Sequence, residues 1–232
     1  MRQEWKRAAA EEAAKLVREG MSVGLGSGST LAEVVRALSG RRTGATFVAS
    51  SSPIQRLATR LGLCFTSLDD HPNLDLVLDG ADEVAPDFSM IKGGGGAHTR
   101  EKMVASAAKK VAIVVDRTKL VPRLGERNPV PVEVLPFAWG FTAGRLAGLG
   151  GEPELRTSPS GSPFVTDDGN YIIDLKFRSI DDPAKLERTI NQVPGVIENG
   201  LFVGVADTVF VGYEGGCVRL RSKEDFLRFM RG

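Results

Sequence analysis

The sequence predicts an α/β fold: a doubly wound, mainly parallel sheet core into which a smaller α+β domain is inserted. Three observations predict it. Near-continuous apolar runs such as Leu74 to Asp79 and Val111 to Val115 lie between amphipathic stretches, the pattern of parallel strands covered by helices on both faces. Two glycine-rich turns each follow a strand-like run and lead into helical periodicity, as in a βα unit. After Val121-Pro122 the rhythm changes to strand, helix, strand, strand, helix, strand, which is the order of a ferredoxin-like split βαβ.

Residues 3 to 19 carry Trp5, Ala9, Ala13, Leu16 and Val17 at helical spacing, with Gly20 as the stop. A strand over 22 to 26 precedes a helix opening on Thr30-Leu31-Ala32-Glu33 in capping-box spacing. A strand over 45 to 50 leads to a helix from Ser52-Pro53 to Leu61, where proline suits the first turn. The strand 74 to 79, a helix from His98 to Lys109 and the apolar strand Val111 to Val115 extend the core. Strands Val130 to Phe137, Glu152 to Arg156, Tyr171 to Phe177 and Val196 to Val203 form the inserted lid, with helices Trp139 to Leu149 and Asp182 to Gln192. Asp167-Asp168-Gly169-Asn170 is its hairpin turn. Strands Thr208 to Val211 and Cys217 to Leu220, with a last helix opened by Ser222, return to the core. The core is expected over 1–126 plus 205–232 and the insert over 127–204, serving as a lid or an oligomer interface.

With 232 residues, 42% hydrophobic and 25% charged, the chain can bury a core of this size. A net charge of +1 and two tyrosines give neither a basic face nor stacking platforms, which argues against nucleic acid as the main partner. The apolar stretches are strand-sized, and Met1-Arg2-Gln3-Glu4-Trp5-Lys6-Arg7 leads into an amphipathic helix without an apolar signal core. A cytoplasmic protein with no membrane partner is the expectation. Cys64 and Cys217 each sit in an apolar strand-like context, so both are expected to be reduced core thiols.

The first glycine turn is Gly24-Leu25-Gly26-Ser27-Gly28-Ser29-Thr30. A nucleotide P-loop would end in Gly-Lys-Ser/Thr, and a dinucleotide fingerprint would place an acidic residue where this chain has Ser50-Ser51-Ser52. A smaller anion such as a phosphate suits the loop, since amides at a helix start point toward negative charge. The alternative is a tight turn in which Ser29 or Thr30 merely caps the helix.

Between the glycine turns, Leu78-Asp79-Gly80-Ala81-Asp82-Glu83 delivers three carboxylates to the C-terminal end of a strand, where α/β sheets bind ligands. Asp79 and Asp82 can converge on one point while Glu83 points elsewhere. Close carboxylates need a cation or a shared proton, and Lys92 can be that cation. The competing readings are an Asx-type turn and a magnesium site, the latter short of a set of six oxygens. Lys92 opens the second turn, Gly93-Gly94-Gly95-Gly96, with Glu101 in the first turn of the next helix. Glutamate there also suits the helix dipole, but four glycines are most easily explained by close approach of the main chain to a ligand. His71 and His98 are lone histidines near turns. Lys119, after strand 111 to 115, emerges at the same sheet edge and can pair with a phosphate.

These three segments, Gly26-Ser27-Gly28-Ser29-Thr30, Asp79-Gly80-Ala81-Asp82-Glu83 and Lys92-Gly93-Gly94-Gly95 with Thr99-Arg100-Glu101-Lys102, resemble the signatures of the ribose-5-phosphate isomerase family, type A. The likeness runs in order over nearly the whole chain. It implies interconversion of ribose 5-phosphate and ribulose 5-phosphate in the pentose phosphate pathway, without metal or other cofactor. By motif match, Glu101 is the catalytic base, aided by Asp79, Asp82 and Lys92. Substrate contacts are implied at Ser27, Gly28, Ser29, Thr30, Asp79, Gly80, Ala81, Asp82, Lys92, Gly93, Gly94, Gly95 and Lys119. The resemblance also favours a homodimer.

The residue types agree with that chemistry. Moving a proton between C2 and C1 through an enediolate needs one carboxylate base and donors for the developing oxyanion. Ring opening needs an acid and base pair, for which Asp79 with Lys92 is the candidate, leaving Asp82 to hold hydroxyls or orient Lys92. Two other readings are a coenzyme A transferase, with Glu101 as covalent nucleophile, and a non-catalytic sugar-phosphate sensor. The latter class usually carries a DNA-binding module, and no basic helix-turn-helix is evident.

Overall fold

The computed structural model describes residues 1–231. In the first half, α1 (Arg2–Ala14), β1 (Ser22–Leu25), α2 (Gly28–Ser39), β2 (Thr46–Ala49), α3 (Ser52–Arg60) and β3 (Cys64–Phe65) alternate. They are followed by β4 (Leu76–Asp79), β5 (Glu83–Val84), β6 (Met90–Ile91), α4 (His98–Ser106) and β7 (Val111–Asp116). The second half holds β8 (Val130–Val134), α5 (Trp139–Ala147), β9 (Glu152–Leu155), β10 (Tyr171–Lys176), α6 (Pro183–Asn191), β11 (Val196–Asn199) and β12 (Leu201–Phe202). The chain closes with β13 (Thr208–Tyr213), β14 (Gly216–Leu220) and α7 (Lys223–Arg231).

Alternation along the strands explains the layers. In β4, Leu76 and Leu78 pack into one apolar cluster with Leu31, Val34 and the alanines of α1, while Val77 packs into the opposite cluster with Val104 and Phe226. In β7, Ala112 and Val114 join the first cluster, and Val111, Ile113 and Val115 the second. A strand whose successive side chains both find apolar cover belongs in the middle of a two-sided sheet. The seven-stranded sheet runs β14-β13-β7-β4-β1-β2-β3, parallel throughout except for β13 with β14. Strand order reverses between β1 and β4, and the crevice at such a reversal is where α/β sheets bind ligands.

A second sheet, the antiparallel β11-β8-β10-β9, has the strand order of a ferredoxin-like unit, and its Val130, Val132, Ile173, Leu175 and Ile190 pack into a cluster shared with Ile91, Val121 and Leu124. The inserted unit is anchored to the parallel-sheet core at its hairpin. There Asp167 accepts hydrogen bonds from the N–H and hydroxyl of Ser52 at 3.0 and 2.9 Å, and Arg100 forks onto Asp168. No helix among the described residues is long and apolar enough to cross a membrane.

Several expected elements are corrected. Helix α1 ends at Ala14, because the next amides turn back to carbonyls three residues earlier and the chain reaches Gly20 at φ +72°. Helix α2 opens at Gly28 with Ser27 as its N-cap, so Thr30 and Glu33 form no capping box; Glu33 is bound instead by Gln3 and Arg36. The single strand expected over 196 to 203 is two strands in different sheets. Gly200 breaks it: its N–H donates to Pro131 and its carbonyl accepts from Lys92, and a Cβ there would lie 2.2 Å from the Lys92 carbonyl. Cys64 is exposed on the two-residue edge strand β3 rather than buried, and Cys217 is half-buried, its thiol pushed up to about 11 by burial.

Candidate active site

The turns after β1, β4 and β6 meet at the strand-order reversal around a cavity of about 120 Å³. Their geometry begins with a glycine. The Gly26 N–H donates to Leu78 at 2.9 Å, and a Cβ on Gly26 would sit 1.7 Å from Oδ1 of Asp79, so only glycine lets these strand ends close on each other. Asp79 is fully buried, and its Oδ1 accepts the Gly80 N–H at 2.7 Å.

Lys92 is the hub. Only 3% exposed, its ammonium lies 2.8 Å from Oδ2 of Asp79, 2.9 Å from Oε2 of Glu101 and 2.8 Å from the Gly80 carbonyl. The Phe202 ring lies 5.2 Å from the same nitrogen. The other oxygen of Glu101 accepts from the hydroxyl of Ser27. Ser27 therefore occupies the N-cap of α2 without capping it, its side chain being committed to Glu101.

This arrangement separates the two carboxyls electrostatically. For Asp79, burial and the negative charge of Glu101 outweigh Lys92 and push the carboxyl up to about 7. For Glu101, burial works in the same upward direction, but the Lys92 charge and the hydrogen bonds from Ser27 and Lys92 win, holding it below the usual carboxylate range. Lys92 itself is raised by the same two neighbours despite burial. Glu101 is thus an ionised carboxylate and Asp79 a carboxyl that exchanges its proton near neutrality.

Asp82 lines the cavity, its Oδ2 accepting the Gly94 N–H at 2.8 Å. Asp79 does not reach the cavity wall and lies behind Lys92. Glu83 points away, accepting backbone N–H groups of Gly125, Arg127 and Asn128 at 2.7, 2.8 and 2.7 Å, and so braces the chain on its way to the insert. Ser27, Gly28, Ser29, Thr30, Gly80, Ala81, Gly93, Gly94, Gly95 and Lys119 all line the cavity. His98 is buried beneath the glycine loop, packed on Gly93, and burial holds its imidazole below its ordinary value. His71 is exposed and lies outside the cavity.

One lining residue was not anticipated. Lys6 of α1 donates to the Ser29 hydroxyl at 2.8 Å. It gets there because Gly212 of β13 lets α1 lie against the sheet, a Cβ at Gly212 being 1.8 Å from the Trp5 carbonyl. No local motif could announce a contact made by packing alone. The α2 turn thus joins Glu101, through Ser27, to a lysine, through Ser29. As for cations, the ammonium of Lys92 already fills the space between Asp79 and Glu101, and among the described residues no group of three or more His, Cys, Asp or Glu could hold a metal ion.

The family model described as ribose 5-phosphate isomerase A (phosphoriboisomerase A) matches residues 46–216. A ribose-5-phosphate isomerase A of Thermosynechococcus vestitus is 50% identical over 213 residues, 89% of this chain and 90% of that protein. The structure of ribose 5-phosphate isomerase A from Methanocaldococcus jannaschii superposes with a TM-score of 0.90 at 41% identity, covering 94% of this chain and 98% of that one. A D-ribose-5-phosphate isomerase solved in complex with phospho-erythronic acid gives 0.93 at 40% identity, with 95% and 99% covered.

Proposed function

The chain belongs to the ribose 5-phosphate isomerase A family, and we propose from that premise how its residues interconvert ribose 5-phosphate and ribulose 5-phosphate. The observation that carries the reading is Glu101: a buried carboxylate kept ionised by Lys92 and Ser27 at the wall of a cavity whose other side carries Lys6, Lys119 and the N-terminus of α2. An anion fits that second side, because first-turn amides and two ammonium groups are free to face it. The solved relative with phospho-erythronic acid supports a sugar phosphate as the ligand.

With the phosphate held there, Glu101 takes the proton from C2 of the open-chain aldose. The released electron pair forms the C1–C2 double bond, and O1 becomes the oxyanion of an enediol(ate). Backbone N–H groups of the glycine loop stabilise that oxygen; the O2 hydroxyl proton then passes to O1, and Glu101 returns its proton to C1 as O2 becomes the carbonyl, which gives the ketose. Ring opening precedes this step. Lys92 faces the cavity with Asp79 behind it, and a carboxyl near 7 is suited to take up and release the proton that ring opening moves. Asp82, already fixed by Gly94, is placed to bind sugar hydroxyls.

Isomerisation in D2O tests the reading. Ketose formation with deuterium entering C1 is expected; absence of turnover, or turnover by an internal hydride shift with no solvent label, rejects it.

A homodimer in the cytoplasm is part of the same proposal. Phe137, between β8 and α5, and Phe141, in α5, are 87% and 64% exposed, Leu135 and Ile197 are exposed too, and exposed apolar side chains of this kind suit a second copy. Sedimentation of the parent and of Phe137→Ser/Phe141→Ser checks it, a monomeric parent being the contrary result.

A further inference from the structure

We propose, resting on the reading above, that Arg156 and Asp174 of the insert form the positioning pair that aims the glycine loop's donors at the substrate. Neither residue lines the cavity. Arg156 follows β9 and Asp174 lies in the neighbouring strand β10, where the carboxylate takes Nε at 2.8 Å and Nη2 at 2.5 Å. That two-point fork fixes the plane of the guanidinium. Its remaining nitrogen, Nη1, donates to the carbonyls of Gly93 at 2.9 Å and Gly94 at 3.2 Å. Phe164, with its ring 5.9 Å from the guanidinium carbon, fills the space beside Gly96, where a Cβ would come within 2.5 Å of the ring.

The consequence follows from the planarity of the peptide, in which N–H and C=O point in opposite directions. In the unit joining Gly93 to Gly94, the oxygen is held by Arg156 and the N–H by Asp82. In the unit joining Gly94 to Gly95, the oxygen is held by Arg156, and the Gly95 N–H is directed to the opposite side. Gly95 lines the cavity, and among the described residues its N–H has no acceptor. A cation drawing on the carbonyl also polarises the N–H of the same unit, strengthening it as a donor. Four glycines in a row have no side chains to hold their peptide planes; inside the loop the Gly96 N–H donates to the Gly93 carbonyl at 3.0 Å, and from outside Arg156 holds the carbonyls of Gly93 and Gly94. The outside hold comes from the insert.

The test measures ribose 5-phosphate kinetics, competitive inhibition by inorganic phosphate and the Gly95 amide resonance in the parent, Arg156→Met, Asp174→Asn and the double variant. Arg156→Met is expected to lose about tenfold or more in kcat/KM, mainly in kcat, because a misaimed donor is missed most in the transition state. Inhibition by phosphate should stay within about twofold, since none of the residues placed at the phosphate touches Arg156. Asp174→Asn should shift in the same direction, and the double variant should be no worse than Arg156→Met, as Asp174 acts through the arginine. Asp174→Asn, close in shape to the parent, carries the test if the methionine variant does not fold. A kcat/KM within about twofold of the parent, or a proportionate loss of phosphate inhibition, overturns the assignment. A parent inactive on ribose 5-phosphate would instead reject the functional reading, while the Gly95 resonance, recorded without substrate, still reports on the pair.

Discussion

Glu101→Gln tests the proposed base while leaving its surroundings in place. Glutamine fills the same space, and its carbonyl can keep the contact that Oε2 now makes with the Lys92 ammonium at 2.9 Å. Its amide nitrogen then meets the Ser27 hydroxyl, which can rotate its hydrogen away and accept. Lys92 loses one counter-charge, but Asp79 makes good the loss. The negative charge of Glu101 is one of the two causes that raise Asp79 toward 7, so removing it lets Asp79 ionise beside the lysine. Net charge in the cluster is conserved, and the melting temperature should move little. Isomerisation should not survive, because an amide cannot accept the C2 proton. The expected loss is at least about 10²-fold in kcat, or about 2.7 kcal/mol of barrier, with KM nearly unchanged. The assay is the initial rate of ketose formation together with deuterium wash-in at C2 of recovered aldose. A variant retaining a tenth or more of the parent's kcat, with C2 exchange intact, refutes Glu101 as the base.

Four further outcomes are expected. Protonated Asp79 stabilises the fold, since its folded value of about 7 lies above the unfolded 3.8; that contribution is complete below the unfolded value and lost as pH rises through about 7. Asp79→Asn should remove this part of the fall in melting temperature, and equal slopes in the two proteins would contradict it. Gly26→Ala forces a methyl to within 1.7 Å of Oδ1 of Asp79 and should cost at least about 1–3 kcal/mol of stability along with activity, by denaturant titration and rate. Lys119→Ala should weaken ribose 5-phosphate by about 1.5–3 kcal/mol and leave free ribose untouched, whereas equal losses would place the phosphate elsewhere. Dialysis against a strong chelator should leave activity intact because Lys92 already serves as the cation between the carboxylates, and a requirement for magnesium would reassign them.

The parts of the site visible in the sequence are those where backbone geometry forces a residue type. Gly26 is demanded by the Asp79 carboxylate, and Gly93 adopts φ +101° against the His98 ring, so both turns announce themselves. What stayed hidden depends on packing between distant segments. Lys6 sits on a helix face that looks like any solvated face until α1 lies on β13. Asp82 and Glu83 are adjacent acids of the same turn, yet one lines the cavity and the other secures the loop at Arg127 and Asn128; nothing local distinguishes them. Cys64 reads as a core residue because apolar neighbours do not reveal that β3 is an edge only two residues long. The run from Val196 to Val203 is apolar enough to pass for one strand, and Gly200 divides it for a reason that lies at Lys92.

That crossing at Gly200 also limits how the protein can be recombined. The peptide N–H of Lys92 is bonded to the Gly200 carbonyl, and the next strand, β12, carries Phe202 to the lysine's ammonium. A cassette exchange that swapped the inserted unit between homologues at its apparent ends would replace this stretch too. Any side chain in place of Gly200 would then push on the main chain of the lysine paired with Glu101. Chimeras should therefore tolerate new sequence at Ser160 far better than at Gly200 and Phe202, which pack against Lys92 although the chain order assigns them to the graft.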